Sequence, residues 1–320
     1  MLRKRAQIIN SLREFFNGKG YLEVETPILS PNLIPEAHLE VFRTEFIDLN
    51  NKSQELYLIP SPEIWMKKLL GGGTGNIFQI TKSFRNCEAI GRFHNPEFTM
   101  LEWYTVEADY IKSIEITEEL FSHLSSHLSS NPLAPPFLRI SMEEAFGENT
   151  GLELARLQET GEINEAAHAM GIGVTAQDTW ESIFNKIFLT FVEPELPADR
   201  PLILYNYPAQ IRCLAKTIPG SPWCERWELY AAGIELANCF TEETDKKRIL
   251  DFFQEESGKK DQAIIHHRAD VDFLEIYSSN FPACSGVALG IDRLMMIVFK
   301  ADTIEEVIPF PFSRMYSKGG

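Results

Sequence analysis

Residues 4–20 place apolar side chains at Ile8, Ile9, Leu12, Phe15 and Phe16, a helical period closed by Gly18 and Gly20. This predicts an amphipathic helix with a glycine stop. YLEVETPIL (21–29) predicts a strand punctuated by its proline, and LYLIPSPEIWMKKLL (56–70) a strand, a turn and a helix. GNIFQITKSFRN (75–86) and NPEFTMLEWYTVEAD (95–109) alternate as strands. From 110 to 200 the pattern is helical, interrupted by NPLAPPF (131–137), and few of its residues are candidates for chemistry. Strands return with PLILYNYPA and with RWELYAAGIELANCF (226–240), which reads as a hairpin. A second helical stretch (242–279) precedes CSGVALGIDRLMMIVF (284–299), a glycine-bearing strand running into a helix. This order predicts an α+β fold around an antiparallel sheet rather than an alternating parallel one. No GxGxxG or Walker A motif occurs, so the parallel-sheet nucleotide folds lack support.

Composition narrows the class. No apolar run approaches the roughly 18–20 residues that cross a bilayer, and no apolar segment follows the basic start MLRKRAQIINSLREFF. A cytoplasmic enzyme without membrane contact is therefore expected. The five cysteines (87, 213, 224, 239, 284) include no CxxC pair, which points to reduced thiols rather than a disulfide framework or zinc site. Net charge is -16, from 30 Lys plus Arg against 46 Asp plus Glu. That balance opposes a broad nucleic-acid surface, whose affinity comes from neutralising phosphates.

Three stretches carry candidate chemistry. FRNCEAIGRFHNPEFTMLEWY (84–104) sets Arg85, Glu88, Arg92 and His94 around a loop between two strands. A guanidinium fork there matches phosphate oxygens, although a solvated hairpin tip has the same pattern. In SGVALGIDRL (285–294), Gly290 permits close approach of a base or phosphate, and Arg293 adds positive charge near a leaving pyrophosphate. Folding the 226–240 hairpin about residues 231–232 sets Glu228 opposite Glu235, a pair that repels unless a cation such as Mg²⁺ lies between. Asn238, Phe240 and Glu242 recur every second residue on one face, forming an amide, an aromatic wall and a carboxylate suited to a long cationic side chain. An ordinary edge strand has the same alternation.

Together these stretches resemble the three signature motifs of class II aminoacyl-tRNA synthetases: YLEVETPIL the first, FRN…FHNPEFTMLEWY the second and GVALGIDRL the third. SPEIWMKKLL, HNPEFTMLEWY and IELANCFTE are similar to the lysyl branch over nearly the whole chain. The helix of the catalytic core is expected to begin at residue 4, so no N-terminal OB-fold is expected. In this the chain resembles the elongation factor P lysine ligase family. All 320 residues are expected to form one catalytic domain, with 110–200 a helical insertion between the second and third motifs.

The resemblance implies ATP and Mg²⁺, lysine or (R)-β-lysine, an aminoacyl-adenylate, and transfer to a lysine ε-amine of elongation factor P. It also implies a homodimer through the first motif. By motif, Arg85 contacts the α-phosphate and Arg293 the far phosphates; Asn86, Glu88 and Asn95 fix the nucleotide, and Phe98 stacks near adenine. Glu228 and Glu235 hold Mg²⁺, and Leu229 and Gly290 frame ATP. Ser61, Pro62, Glu63 and Tyr104 line the amino-acid pocket, where Glu235, Asn238 and Phe240 join them and Glu242 pairs with the distal ammonium. Ala288 stands where lysyl-tRNA synthetases have glycine; its methyl reshapes the floor near the α-carbon. Two departures are Cys87, which makes the second-motif loop read one residue longer with Glu88 matching the family glutamate, and Cys239 in place of the glycine of NGF. Strand alternation points Cys239 away from the pocket. The alternatives are a minimal lysyl-tRNA synthetase, opposed by the acidic total, and a catalytically dead binding protein, opposed by the presence of Arg85, Glu235 and Arg293. An asparagine-forming relative of the aspartyl branch is opposed by Glu242.

Overall fold

The first helix, α1 (Leu2–Gly18), buries the predicted stripe of Ile8, Leu12, Phe15 and Phe16. In this computed structural model, residues 1–87, 90–125, 133–260, 263–278 and 281–315 are described. Each fully buried side chain of that stripe contributes about 1.5–3 kcal/mol, and the stripe rather than propensity fixes the helix to the sheet.

The strand expected over 21–29 is instead two short pieces, β1 (Leu22–Glu23) and β2 (Leu29–Ser30), in different sheets. Pro27, which has no N–H to give a ladder, lies between them. Two further strands, β3 (Phe42–Ile47) and β4 (Ser53–Leu58), complete a three-stranded sheet in the order β2-β4-β3. Next come α2 (Glu63–Gly71), β5 (Ile77–Phe84) and β6 (Glu97–Val106), at the predicted places.

The segment 110–200 divides between two bodies of core. Helix α3 (Tyr110–Ser125) packs with α1 under the main sheet, and β7 (Leu138–Ser141) pairs in parallel with β8 (Leu202–Pro208). Helices α4 (Met142–Thr150), α5 (Thr160–Ala169) and α6 (Trp180–Ile187) enclose a second cluster against β8. Its centre is a ring stack of Trp180, Phe184, Phe146 and Phe188. The helical expectation therefore missed a strand at 138–141.

The hairpin is β9 (Trp223–Ala231) and β10 (Ile234–Thr241), joined by Ala232 and Gly233, both with positive φ. A two-residue turn of that kind follows the twist of the strands. It pairs Glu235 with Tyr230; after a bulge at Leu236, Asn238 pairs with Glu228. Glu228 and Glu235 are thus not directly opposed, contrary to the register set by a turn at 231–232. Helix α7 (Lys246–Lys260) covers part of the sheet, and β11 (Cys284–Gly290) runs directly into α8 (Ile291–Phe299). Asp292, in the first turn of α8, accepts from Thr99 N at 2.7 Å and pairs with Arg5 at 2.7 Å, an acid where a helix dipole favours one.

The eight-stranded sheet runs β1-β5-β6-β11-β10-β9-β8-β7, antiparallel except for the parallel pairs at its two ends. One face is covered by α1, α3 and α8 over Leu101, Trp103, Trp227, Leu229, Cys239 and Val287. The other face, partly roofed by α2, α7 and the 3₁₀ segment Val271–Ser278, holds polar residues. No described helix is long and apolar enough to cross a membrane.

Candidate active site

Strand alternation puts the chemistry on the second face. Glu102 and Tyr104 come from β6, Arg226 and Glu228 from β9, Asn238 and Phe240 from β10 with Glu242 just beyond its end, and Gly286 and Ala288 from β11. These residues line a cleft of two joined cavities, about 330 Å³ and about 370 Å³, which share Glu36, His38, Leu39, Arg85, Met100, Arg226, Asn238 and Ala288. The bulge at Leu236 lets Glu235 and Asn238, three residues apart, both reach the cleft.

The inner cavity is acidic. Lys67, fully buried on α2, places its ammonium 2.5 Å from both Glu63 and Glu242, and it also lies over the Phe240 ring at 5.2 Å. Tyr104 donates its hydroxyl to Glu102 at 2.8 Å. Burial, then Glu63, push Glu102 up to about 8. Burial pushes Glu242 up to about 8 against the pull of Lys67, and burial with Glu63 raises Glu36 to about 7. Burial works against the charge of Lys67, yet Glu242 and Glu63 hold it well above the ordinary lysine value. Around Lys67 the carboxyl groups of Glu63, Glu102 and Glu242 thus outnumber the one ammonium among them, a setting that a further cation relieves. Gly286 is required here: a Cβ at that position meets Tyr104 Cε1 at 2.5 Å and Glu242 Oε1 at 2.8 Å.

The outer cavity is bordered by cations. Arg293 donates to the Glu235 carbonyl at 2.9 Å and its carboxylate at 3.2 Å, and its Nη2 lies 2.9 Å from His94 Nε2. Arg85 lies over the Phe98 ring at 5.3 Å. Arg226, half-buried where the two cavities meet, donates to Glu228 at 2.8 Å and to Asn238 Oδ1 at 3.1 Å. Tyr230 also donates to Glu228, at 3.0 Å. Burial, then Glu235, raise the Glu228 pKa, so the two carboxylates share one field although they are not paired in register.

Of the residues singled out from sequence, Ser61, Glu63, Arg85, Phe98, Tyr104, Glu228, Glu235, Asn238, Phe240, Glu242, Ala288, Gly290 and Arg293 line the cleft. Leu229 does not frame it, because it alternates with Glu228 and is buried in the main core. Pro62 is buried as the N-cap of α2 rather than exposed to the pocket. The Asn86 amide donates to Val41 O at 3.2 Å and holds the 40–41 backbone, away from the cleft. Asn95 donates to Glu97 O and accepts from Phe312 N at 2.9 Å, so it anchors the C-terminal segment. Gly290 needs no glycine for space, since a Cβ there meets nothing closer than 3.9 Å. Glu88 lies outside the described residues. Cys239 is buried on the opposite face, as its alternation predicts.

Lys67, Glu102, Arg226, Glu36 and His38 were missed by the sequence reading. Lys67 stands four residues from Glu63 and between Ile64 and Leu70 on the buried side of α2, a spacing that signals an inward lysine. Glu102 and Arg226 follow from alternation alone, each two residues from a recognised site residue. Glu36 and His38 lie in irregular chain with no such signal.

Comparison with known proteins agrees with this architecture. The sequence profile of tRNA synthetases class II (D, K and N) matches residues 1–314. A protein of Erwinia tasmaniensis named elongation factor P–(R)-β-lysine ligase is 37% identical over 319 residues, 98% of this chain and 95% of the relative. Proteins of the same name from Yersinia enterocolitica (36%, covering 98% and 95%) and Haemophilus influenzae strain PittGG (38%, covering 97% and 94%) are also similar. With a profile that spans almost its full length, the chain belongs to the class II tRNA synthetase family of the D, K and N type.

Proposed function

We propose that the protein is a ligase that uses ATP to activate lysine or (R)-β-lysine as an aminoacyl-adenylate and transfers it to a lysine ε-amine of elongation factor P. The observation that carries this reading is the surplus of buried carboxylate at the inner end of the cleft, where Glu63, Glu102 and Glu242 surround the single ammonium of Lys67. Buried carboxylates of that kind favour a ligand with amino groups and select against an acidic or apolar side chain. The names of the relatives support the same substrate and acceptor.

In this reading the amino acid lies in the inner cavity with an ammonium at Glu242 and its carboxylate toward Arg85. ATP occupies the outer cavity, with adenine near Phe98, the α-phosphate at Arg85 and the far phosphates at Arg293. No covalent nucleophile is needed: attack of the carboxylate on phosphorus is positioning plus charge stabilisation by the two arginines. Glu228 and Glu235, which share the outer cavity, are the residues that would hold a Mg²⁺ ion. Among the described residues no group of three or more His, Cys, Asp or Glu forms a cage for a metal. When bound, the ion neutralises charge on the bridging phosphates. Ala288, between Asn238 and Glu102 in register, places its methyl between the two cavities and biases the choice of α- or β-amino acid by about 1–3 kcal/mol.

A homodimer is part of the proposal; the sheet next to the first motif exposes Leu29, Phe46 and Ile47, and light scattering reads its mass. A cytoplasmic location and weak affinity for tRNA accord with the charge of -16. ATP–pyrophosphate exchange across a panel of amino acids tests the activation step. Exchange confined to diamino acids is expected; exchange driven equally by aspartate or asparagine sinks the reading.

A further inference from the structure

His38 lies on the irregular segment 31–41 between β2 and β3, which supplies Glu36, His38 and Leu39 to the lining of both cavities. The segment is pinned on both sides. Leu33 N donates to Arg268 O at 3.0 Å, Ala37 N donates to Glu256 at 2.8 Å, and Glu40 accepts from Ile264 N at 2.9 Å and Ile265 N at 3.2 Å. The backbone that carries the imidazole is thus anchored on both sides. Among the described residues neither ring nitrogen has a hydrogen-bond partner, whereas the other histidine of the cleft, His94, is engaged by Arg293.

Three features single it out. It borders both cavities, so it stands beside the place where an amino-acid carboxylate in one and a phosphate in the other must join. It keeps accessible surface, as a group that meets an incoming macromolecular acceptor must. It is also neutral at physiological pH: the protein packed around the covered side of the ring, then Arg85 and Arg226, lower it to about 4, against Glu256, which raises it, while Lys260 lowers it further. A neutral imidazole keeps a lone pair free to take a proton.

We propose that His38 is the base of the transfer step, receiving the proton shed by the acceptor amine as it attacks the adenylate. The inference rests on the ligase reading above. The incoming ammonium first loses one proton to solvent, leaving a free amine at the mouth. The nitrogen lone pair forms the N–C bond to the carbonyl carbon of the adenylate. The C–O bond to the phosphate oxygen breaks, and AMP departs with that electron pair. The nitrogen, made acidic by bond formation, passes its second proton to His38, which returns it to solvent. The products are an amide, AMP and two protons, and no further reactant is needed. Adenylate formation involves no proton transfer at this position, so the two half-reactions respond differently to loss of the imidazole.

The test measures single-turnover adenylate formation and transfer to intact elongation factor P separately, for the unmutated enzyme, His38→Gln and His38→Ala. The ratio of transfer to adenylate formation is expected to fall on the order of 100-fold in both variants. Added imidazole is expected to restore transfer in His38→Ala in proportion to its concentration, a response that a purely structural role does not give. His38→Gln preserves size and polarity and serves if the alanine variant is poorly folded. Equal loss of both steps, normal transfer by His38→Gln (the adenylate phosphate then being the base), or absence of imidazole rescue would each overturn the proposal. Failure of the unmutated enzyme to form any adenylate overturns the ligase reading itself, and this inference with it.

Discussion

Lys67→Met removes the ammonium shared by Glu63 and Glu242 while keeping most of the side-chain volume. In the native protein that ammonium is fully buried and 2.5 Å from both Glu63 and Glu242. Removing one partner of a buried pair costs about 3–5 kcal/mol, because the charge left behind has lost its compensation. For a chain of 320 residues, an unfolding entropy of about 2.1 cal/mol/K per residue converts this to a melting-temperature loss of roughly 5–7 °C. The carboxylates can escape the penalty by taking up protons, which is easier at pH 6 than at pH 8, given that Glu102 and Glu242 are already pushed up to about 8. The loss in the variant is therefore larger at pH 8 than at pH 6. Lysine or β-lysine at saturating concentration should restore part of it, since the ligand supplies a replacement ammonium. Differential scanning fluorimetry at the two pH values, with and without the amino acid, measures all three effects. A variant as stable as the native protein at pH 8, or a loss that is the same at both pH values, refutes the view of Lys67 as counter-ion to a carboxylate surplus.

Other expectations follow from the same geometry. Glu242→Gln should raise the apparent KM for the diamino acid about 10- to 150-fold, equivalent to about 1.5–3 kcal/mol for a charged hydrogen bond, with little change in the KM for ATP; exchange kinetics separate the two, and equal effects on both contradict the assignment. Gly286→Ala drives a methyl into Tyr104 and Glu242, so a stability loss of about 1–3 kcal/mol and reduced amino-acid binding are expected by denaturant titration and calorimetry; an unchanged variant contradicts the tight packing. The ligand-free enzyme should become less stable as pH rises. Glu102 and Glu242 have folded pKa values of about 8 against an ordinary 4.5, so their contribution is fully present below the ordinary value and lost as pH passes through about 8. Chemical denaturation across that window reads it, and stability that rises toward pH 8 counts against the raised values.

Much of the architecture was legible because it depends on alternation and period, which sequence displays directly. The stripe of Ile8, Leu12, Phe15 and Phe16 and the β6 pattern around Leu101 and Trp103 each placed an element and its buried face. Asn238, Phe240 and Glu242 were legible for the same reason, and so was the burial of Cys239 opposite them. What alternation cannot fix is where a turn falls. Ala232 is not a residue type that announces a left-handed turn, and the bulge at Leu236 has no sequence mark, so the pairing of Glu228 with Asn238 was missed. Leu229, Pro62, Asn86 and Asn95 match motif positions yet serve packing or backbone capping. A lysine such as Lys67 reads as surface until its two carboxylate partners, one of them 175 positions away just past β10, are brought to it by the fold. His38 depends on loop path alone, which no periodicity encodes.

The central claim is that an amino acid is activated here and delivered to a protein. Its most direct test incubates the enzyme with ATP and labelled lysine or β-lysine, offering elongation factor P and total tRNA in separate reactions. The account predicts a mass increase of one amino-acid residue on a lysine of elongation factor P, with tRNA unlabelled. Label carried by tRNA, with elongation factor P unchanged, contradicts it and makes this chain a minimal lysyl-tRNA synthetase.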